Sequence, residues 1–267
     1  MNTFAGTSAY YRRFRPGIPV AVAALLDQAA PRDSPRRLLD IGTGPGLVVQ
    51  ALLPYFDDLI AVDAEVTMLT EAEALLRPAI DAAHQLQLHH AIAENFLPPE
   101  GWHPHLVTCG RVFQRLNQPC FLDRLSEYMA PEGVIAVFSD RSLWTADSPW
   151  QQATREVVQD FLGQPRRAGG GTFSTSGPLY EEVLRASAFS HVTSTAVPVR
   201  RHWKIPQVLG YLYSTPFAAP HLFDDRRDAF EQAVTNALAP FADSGVLTED
   251  NAFTVLTARR PFANVDR

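Results

Sequence analysis

The chain has few of the features that mark secreted, membrane or metal-binding proteins. Its two cysteines, Cys109 and Cys120, are too few for a disulfide framework, and we expect both to be small buried residues in a reducing cytoplasm. No apolar run reaches about 18 residues and no apolar signal core opens the chain, which predicts neither a membrane span nor secretion. No Cys/His spacing indicates a metal site, and no Gly-x-Ser-x-Gly hydrolase motif occurs.

The chain also lacks an excess of positive charge. It has 23 Lys and Arg against 29 Asp and Glu, a net charge of −6, so no global basic surface for nucleic acid is expected. With 267 residues, 46% of them apolar, it can bury a full core, and one α/β domain over residues 1–267 with insertions is predicted. We expect a cytoplasmic protein without nucleic-acid or membrane partners, either a monomer or a homodimer.

What the chain does contain is a strand–turn–helix centred on three glycines. Leu38–Ile41 is typical of a buried strand, and an apolar helical pattern begins at Leu47. Glycines in the turn permit unusual backbone angles and let a ligand approach the main chain. The helix N-terminus that follows offers unpaired N–H groups to a polar ligand. A second buried strand ends at Asp63, where nucleotide-binding α/β folds place an acidic residue that accepts hydrogen bonds from ribose.

The spacing of the glycines separates two kinds of cofactor site. The dinucleotide fingerprint needs Gly-x-Gly-x-x-Gly, whereas here the third glycine, Gly46, comes one place early. The stretch Asp40-Ile41-Gly42-Thr43-Gly44-Pro45-Gly46 instead resembles the glycine loop of class I S-adenosylmethionine-dependent methyltransferases. Further blocks in the same order resemble that family: residues 62–69, 93–98, 106–109 and 131–134.

The resemblance implies a doubly wound, seven-stranded sheet, mostly parallel with an antiparallel last strand, and helices on both faces. It also implies S-adenosyl-L-methionine as cofactor, S-adenosyl-L-homocysteine as product and a small molecule as acceptor. The cofactor residues carried over from the family are Tyr11, Arg15, Asp40, Gly42, Thr43, Gly44, Gly46, Asp63, Ala64, Met68, Ala93, Glu94, Cys109, Gly110 and Arg111. Among them, Tyr11 and Arg15 are expected at the cofactor's carboxylate, because a guanidinium suits a carboxylate bidentately.

The sequence departs from the family pattern at two places. Where many relatives have Asp-Ala-Glu, this chain has Ile92-Ala93-Glu94, so the carboxylate for the adenine amino group is missing or replaced by Glu94. Where many small-molecule methyltransferases have His-Trp, it has Gln114-Arg115, which removes a familiar candidate base.

Residues outside the predicted cofactor-binding core, 37–140, are expected to cover the ligands. The N-terminal segment 9–30 is predicted to cover the cofactor, with a turn marked by Pro16, Gly17 and Pro19 before a helix from Val20 to Gln28. Insertions at 141–178 and 200–245 would form an acceptor lid. The run from Gly163 to Gly171 is glycine-rich and is predicted to be a mobile loop. Arg166 and Arg167 within it are candidates for an anionic substrate or are simply a solvated pair.

Transfer of a sulfonium methyl is an in-line displacement that needs near-attack geometry and exclusion of water. An amine or hydroxyl acceptor must lose a proton, so a general base is of use. His202 is the preferred candidate because it lies beside the presumed pocket insertion. The predicted acceptor contacts are Gln114, Trp144, Trp203 and Tyr213.

The function predicted is therefore methyl transfer to an N, O or C nucleophile of a small molecule, including secondary metabolites. A protein that keeps the fold and cofactor pocket but acts as a cyclase or a regulatory binding protein is one alternative. A nicotinamide-dependent oxidoreductase is the other, and the glycine spacing disfavours it.

Overall fold

The computed structural model describes residues 6–165, 167–168, 171–172 and 178–261. Its strands are β1 (Arg37–Ile41), β2 (Asp58–Asp63), β3 (Gln85–His90), β4 (Leu106–Gly110), β5 (Val134–Asp140), β6 (Arg167–Ala168), β7 (Gly171–Thr172), β8 (His191–Trp203) and β9 (Leu247–Arg259). Within the described residues, a seven-stranded sheet has the order β3-β2-β1-β4-β5-β9-β8. It is mostly parallel, and its last strand, β9, is antiparallel, which confirms the predicted sheet.

The strands in the middle of the sheet are short runs in which most residues are apolar. β1, β2, β4 and β5 are buried almost throughout, as expected for parallel strands covered on both faces. Their register aligns Leu39 with Ile60 and with Val107. The carboxyl ends of β1, β2 and β4 therefore share one edge of the sheet, where such folds bind ligands.

The helices are α1 (Ser8–Phe14), α2 (Val20–Ala29), α3 (Leu47–Leu52), α4 (Val66–Leu76), α5 (Gln118–Tyr128), α6 (Pro149–Leu162), α7 (Tyr180–Arg185), α8 (Ile205–Tyr213) and α9 (Arg227–Leu238). Short 3-10 helices occur at Leu53–Tyr55, Arg77–Ala79, Ala93–Asn95, Phe113–Arg115, Pro220–Leu222, Asp224–Arg226 and Ala239–Phe241. α2, α3 and α4 form one contacting group and α5 and α7 another, and helices surround the sheet.

The turn predicted around Pro16 and Pro19 is present, and α2 follows it where a helix from Val20 was predicted; α1 precedes the turn. Two other elements differ from the prediction. β8 runs on to Trp203, so Arg200–Trp203 belong to a strand rather than to a connecting segment. Part of the predicted mobile loop forms a ladder, because β6 pairs antiparallel with β7. Arg166, Gly169 and Gly170 of that loop lie outside the described residues.

The chain divides into two compact units. The sheet unit comprises the described residues of Gly17–Ser139, Gly177–Val197 and Phe253–Arg267. The helical unit comprises those of Met1–Pro16, Asp140–Ser176 and Pro198–Ala252. β8 and β9 each supply residues to both units.

Each unit has its own apolar interior. In the sheet unit, fully buried side chains of the central strands pack with those of α5 and α7, including Ile60, Val107 and Leu125. In the helical unit, aromatic rings dominate: Phe223 stacks on Phe230 with centroids 3.9 Å apart, and Tyr213 meets both.

The two cysteines do not share one environment. Cys109 is buried in β4, whereas Cys120 is exposed, contrary to the expectation that both are buried. Cys120 lies in the first turn of α5, whose buried face is taken by Phe121, Leu122 and Leu125.

Over the described residues, no helix combines the length and apolar character that crossing a bilayer would require.

Candidate active site

The glycine loop after β1 is shaped by three positive φ angles, which glycine adopts without steric cost. They are 64° at Gly42, 55° at Gly44 and 84° at Gly46. A Cβ on Gly42 would lie 2.4 Å from Val112 Cγ2, and one on Gly46 would lie 2.8 Å from Leu76 Cδ1. At Gly44, no described residue beyond its two chain neighbours has an atom within 4 Å of the added Cβ position. Gly42 and Gly46 are thus required by packing, and Gly44 faces open space.

Asp63, at the end of β2, holds this loop from the neighbouring strand. Its Oδ2 accepts a hydrogen bond from the Gly44 backbone N at 2.8 Å, and its Oδ1 accepts one from Glu65 N at 2.9 Å. Burial raises the pKa of Asp63, and the hydrogen bonds from Gly44 and Glu65 oppose that shift. The carboxylate predicted for the ribose is therefore beside the glycine loop.

Asp40 lies beneath the loop, 1% exposed. Its Oδ1 accepts a hydrogen bond from Thr108 Oγ1 at 2.6 Å. Burial raises the pKa of Asp40 to about 7. Thr43, also buried, donates its backbone N–H to Val62 O at 3.0 Å. Both residues support the loop from below.

The ends of β2 and β3 carry the other predicted cofactor residues. Met68 is 2% exposed and belongs to the core face of α4, whereas Ala64 is exposed and its carbonyl accepts from His90 Nε2 at 3.1 Å. Ala93 and Glu94 form a 3-10 turn after β3. Glu94 Oε1 accepts from Asn117 N at 2.5 Å, so this carboxylate caps the start of α5.

The prediction from sequence missed two apolar side chains at this edge. Val66, after β2, is 55% exposed, and Ile92, after β3, is 58% exposed. Large apolar side chains this open are informative when they lie at a candidate ligand site. Their sign in the sequence is a large aliphatic residue two or three positions after the last residue of each strand, at Val66 and Ile92.

Arg111 follows β4 in a left-handed conformation, with φ of 58°, that is unfavourable for a residue with a Cβ. Its backbone N donates to Phe138 O at 2.9 Å, and its carbonyl accepts from Gln114 Nε2 at 2.9 Å. Its guanidinium lies 5.3 Å from the ring centroid of Phe253.

A cavity of about 150 Å³ opens at the carboxyl ends of β4 and β5. It is lined by Cys109, Arg111, Val112, Phe113, Gln114, Val137, Phe138, Ser139, Tyr180, Thr254 and Leu256. Burial raises the pKa of the Cys109 thiol well above its ordinary value, and burial raises the pKa of Tyr180. Both groups are therefore protonated at neutral pH. Tyr180 OH lies 3.5 Å from Gln114 Oε1, to which it donates.

Arg15 and Tyr11, predicted at the cofactor's carboxylate, belong to the helical unit. The Arg15 guanidinium lies between two aromatic rings, 4.8 Å from the centroid of Tyr11 and 4.7 Å from that of Tyr211. Its Nε donates to Ser214 Oγ at 2.9 Å. These contacts fix α1 to the end of α8, and they give Arg15 a packing role that the sequence did not indicate.

His202 is on the exposed face of β8, contrary to the prediction that it faces a pocket. Because side chains alternate along a strand, His202 points away from the side that Arg201 and Trp203 occupy. Its Nδ1 lies 3.4 Å from Thr248 Oγ1. This exposed position does not support a catalytic role for His202.

The other predicted acceptor contacts of the helical unit are largely packed away. Tyr213 is 2% exposed, and its OH donates to Glu231 Oε1 at 2.9 Å. Trp203 is 8% exposed. Trp144 is half-buried against Phe217, with ring centroids 5.2 Å apart. Tyr213 is too enclosed for the acceptor contact predicted for it.

A buried ionic cluster in the helical unit was also missed. Arg201 pairs with Asp140 at 2.7 Å and with Glu249 at 3.4 Å. Glu249 also accepts from Trp203 Nε1 at 2.8 Å and from Asn251 Nδ2 at 2.8 Å. A cavity of about 10 Å³ beside the cluster has room for about one water.

The chain is similar to known proteins in both sequence and fold. Residues 11–178 match the family model described as a methyltransferase domain. A curated relative, the trans-aconitate 2-methyltransferase of Methylobacterium radiotolerans, is 28% identical over 253 residues, which cover 88% of this chain and 91% of the relative.

Two solved structures share the fold. A putative type II methyltransferase from Anaeromyxobacter dehalogenans has a TM-score of 0.58 and 17% identity, covering 92% of this chain and 98% of that one. A SAM-dependent methyltransferase from Thiobacillus denitrificans, solved in complex with S-adenosyl-L-homocysteine, has a TM-score of 0.54 and 14% identity, covering 98% and 99% of the two chains.

Proposed function

Because the chain belongs to the methyltransferase-domain family and is a class I S-adenosylmethionine-dependent methyltransferase, we propose that its acceptor is a small organic acid and that a carboxylate oxygen receives the methyl group. The predicted family, enzyme class and cofactor are confirmed. The nicotinamide-dependent alternative is therefore wrong.

The residues at the carboxyl edge of the sheet suit S-adenosyl-L-methionine. Gly44 has open space where a larger residue would carry its Cβ, and Asp63 places a carboxylate beside it for the ribose hydroxyls. We assign Val66 and Ile92, both exposed and apolar, to the faces of the adenine. When bound, the cofactor supplies an activated methyl group on a sulfonium.

The observation that carries the proposed acceptor is the protonation state of the cavity after β4. An oxygen or nitrogen atom that receives the methyl group must be deprotonated, so that its lone pair is available to attack. Cys109 and Tyr180 line the cavity with raised pKa values, and Arg111 is a permanent cation, so these three ionisable groups accept no proton at neutral pH. A carboxylate, with an ordinary pKa of about 4, is already ionised there and needs no base.

Two other observations support an anionic acceptor. The segment Gly110–Asn117, next to the glycine loop, contains Arg111 and Arg115 and has neither an acidic residue nor a histidine. The curated relative is named for methylation of trans-aconitate, a polycarboxylate. That relative supports the chemical class of the acceptor, and trans-aconitate is the first compound to test.

The assignment of 9–30 as a cofactor cover, and of 141–178 and 200–245 as acceptor lids, stays a prediction, as does a monomeric or homodimeric state. A cyclase or regulatory protein of this fold would bind the cofactor and transfer no methyl group to an acceptor.

The test is a panel of acceptors incubated with the enzyme and methyl-labelled cofactor. Aliphatic di- and tricarboxylates, including trans-aconitate, form one set, and matched primary amines and phenols form the control sets. Label transferred to the acids supports the proposal. Label transferred only to amines or phenols contradicts the proposed acceptor and leaves the enzyme class intact, whereas cofactor binding with no transfer to any set favours the regulatory or cyclase alternative.

A further inference from the structure

We infer that Arg111 is the residue that recognises an anionic group of the acceptor, and that it does so in the cavity at the carboxyl ends of β4 and β5. The inference rests on the proposed function, since it assumes an acceptor with a carboxylate. It assigns to acceptor specificity a residue that the sequence pattern placed among the cofactor contacts.

The backbone of Arg111 is held in position from two sides. A left-handed residue with a Cβ persists where its surroundings over-determine it, and here the N–H of Arg111 donates to Phe138 O while its carbonyl accepts from Gln114 Nε2. The Phe253 ring beneath the guanidinium supports the side chain by a cation–π contact of 5.3 Å. The backbone is thus held in place and the guanidinium is restrained by the Phe253 ring, which lowers the entropic cost of binding a ligand.

The cavity contains a cationic side chain and polar groups that can bind an organic acid. Among its lining residues, all within the described part of the chain, Arg111 is the one with a charged side chain. Ser139, Thr254 and Gln114 add hydroxyl and amide groups, and the remaining walls are largely apolar. A guanidinium in apolar surroundings interacts more strongly with an anion than one in water does. The volume of about 150 Å³ is well above the roughly 10–15 Å³ that one water requires on the same measure, which leaves room for a small acid.

The same segment connects this cavity to the glycine loop. Val112 lines the cavity, and its Cγ2 lies 2.4 Å from where a Cβ on Gly42 would be. The cavity and the loop therefore share Val112 as a wall, and an acceptor seated on Arg111 would lie next to the cofactor-binding edge.

The second arginine of the segment has a different role. The charge of Arg115 acts on Asp63 and Glu65, where it opposes the raised pKa of each carboxyl. The charge of Arg115 thus acts on carboxyl groups beside the glycine loop, whereas Arg111 lines the cavity.

The experiment measures acceptor binding without turnover. Enzyme saturated with S-adenosyl-L-homocysteine is titrated calorimetrically with trans-aconitate, using wild type, Arg111→Met, Arg111→Lys and, as a control, Arg185→Met. Arg185 is an exposed arginine of α7 paired with Glu181. The affinity of each variant for S-adenosyl-L-homocysteine, measured first, reports whether the cofactor site is folded.

We expect Arg111→Met to weaken trans-aconitate binding by about 10- to 100-fold, the range of a charged hydrogen-bonded pair. Arg111→Lys should bind with intermediate affinity, because lysine keeps the charge and loses the bidentate geometry. Arg185→Met should bind like wild type. In turnover, KM for the acid should rise in Arg111→Lys with little change in kcat.

Three results separate the outcomes. If wild type binds the acid and both Arg111 variants bind it equally well, the inference about Arg111 is overturned and the proposed function stands. If wild type binds none of the polycarboxylates, the proposed function and this inference both fail. If Arg111→Met no longer binds S-adenosyl-L-homocysteine, the Arg111→Lys variant provides the test. Wild-type affinity of Arg111→Lys for trans-aconitate overturns the inference, and weaker trans-aconitate binding with unchanged S-adenosyl-L-homocysteine binding supports it.

Discussion

Gly44→Ala gives the sharpest test of where the cofactor lies. Gly44 has φ of 55°, and a Cβ there would meet no atom within 4 Å among the described residues other than its chain neighbours. The substitution therefore costs only the left-handed backbone strain of a residue with a Cβ, about 1–2 kcal/mol. For a chain of this size, that strain lowers Tm by about 2–8 °C. If the open space is where the cofactor lies, the new methyl group also obstructs it, and affinity for S-adenosyl-L-homocysteine should fall by about 10-fold or more.

Gly101→Ala is the matched control. Gly101 has φ of 74° and an equally open Cβ position, but it lies in the loop before β4, at the opposite edge of the sheet from Gly44. Both variants should lose similar stability in thermal unfolding, and only Gly44→Ala should lose cofactor affinity in calorimetry. Wild-type affinity in Gly44→Ala, with the expected fall in Tm, would show that the cofactor does not approach the loop at Gly44.

Three further changes test the site and its surroundings. Asp63→Ala should weaken S-adenosyl-L-homocysteine binding by about 1–3 kcal/mol, the range for hydrogen bonds to a charged group, and unchanged calorimetric affinity would remove Asp63 from the ribose site. His202→Ala should keep kcat/KM within about 2-fold of wild type, whereas a loss of about 100-fold would restore its role as a base. Asp40 has a folded pKa of about 7, above its unfolded value of about 4. Its contribution to stability is therefore full below about pH 4 and is lost as pH rises to about 7. Urea unfolding should show this decline in wild type relative to Asp40→Asn, and parallel pH profiles would contradict it.

The sheet and the glycine loop were predictable because their signals are local. Leu38, Leu39 and Ile41 make a largely apolar run that is typical of a buried strand, and the spacing of Gly42, Gly44 and Gly46 favours a turn directly after it. Asp63 could be placed beside the loop because parallel strands end at a common edge.

The acceptor side was not predictable in the same way, because it depends on contacts between distant segments. Because β8 extends through these residues, side-chain alternation buries Trp203 and exposes His202. In the sequence, Arg201 has the pattern of a surface cation, and its ion pair with Glu249 of β9 depends on contacts between distant parts of the chain. Arg15 was likewise predicted to contact the cofactor, and the packing of its guanidinium against the rings of Tyr11 and Tyr211 could not be foreseen from the sequence.

The most direct test of the central claim is the chemical nature of the methylated product. The enzyme is incubated with trans-aconitate and cofactor labelled with ¹³C in the transferred methyl group, and the product is analysed by NMR before and after mild alkaline hydrolysis. An ester methyl signal that converts to methanol on hydrolysis is the result expected for transfer to a carboxylate oxygen. A labelled methyl group that survives hydrolysis on carbon or nitrogen of any accepted substrate, with no ester formed from the acids, would contradict the account.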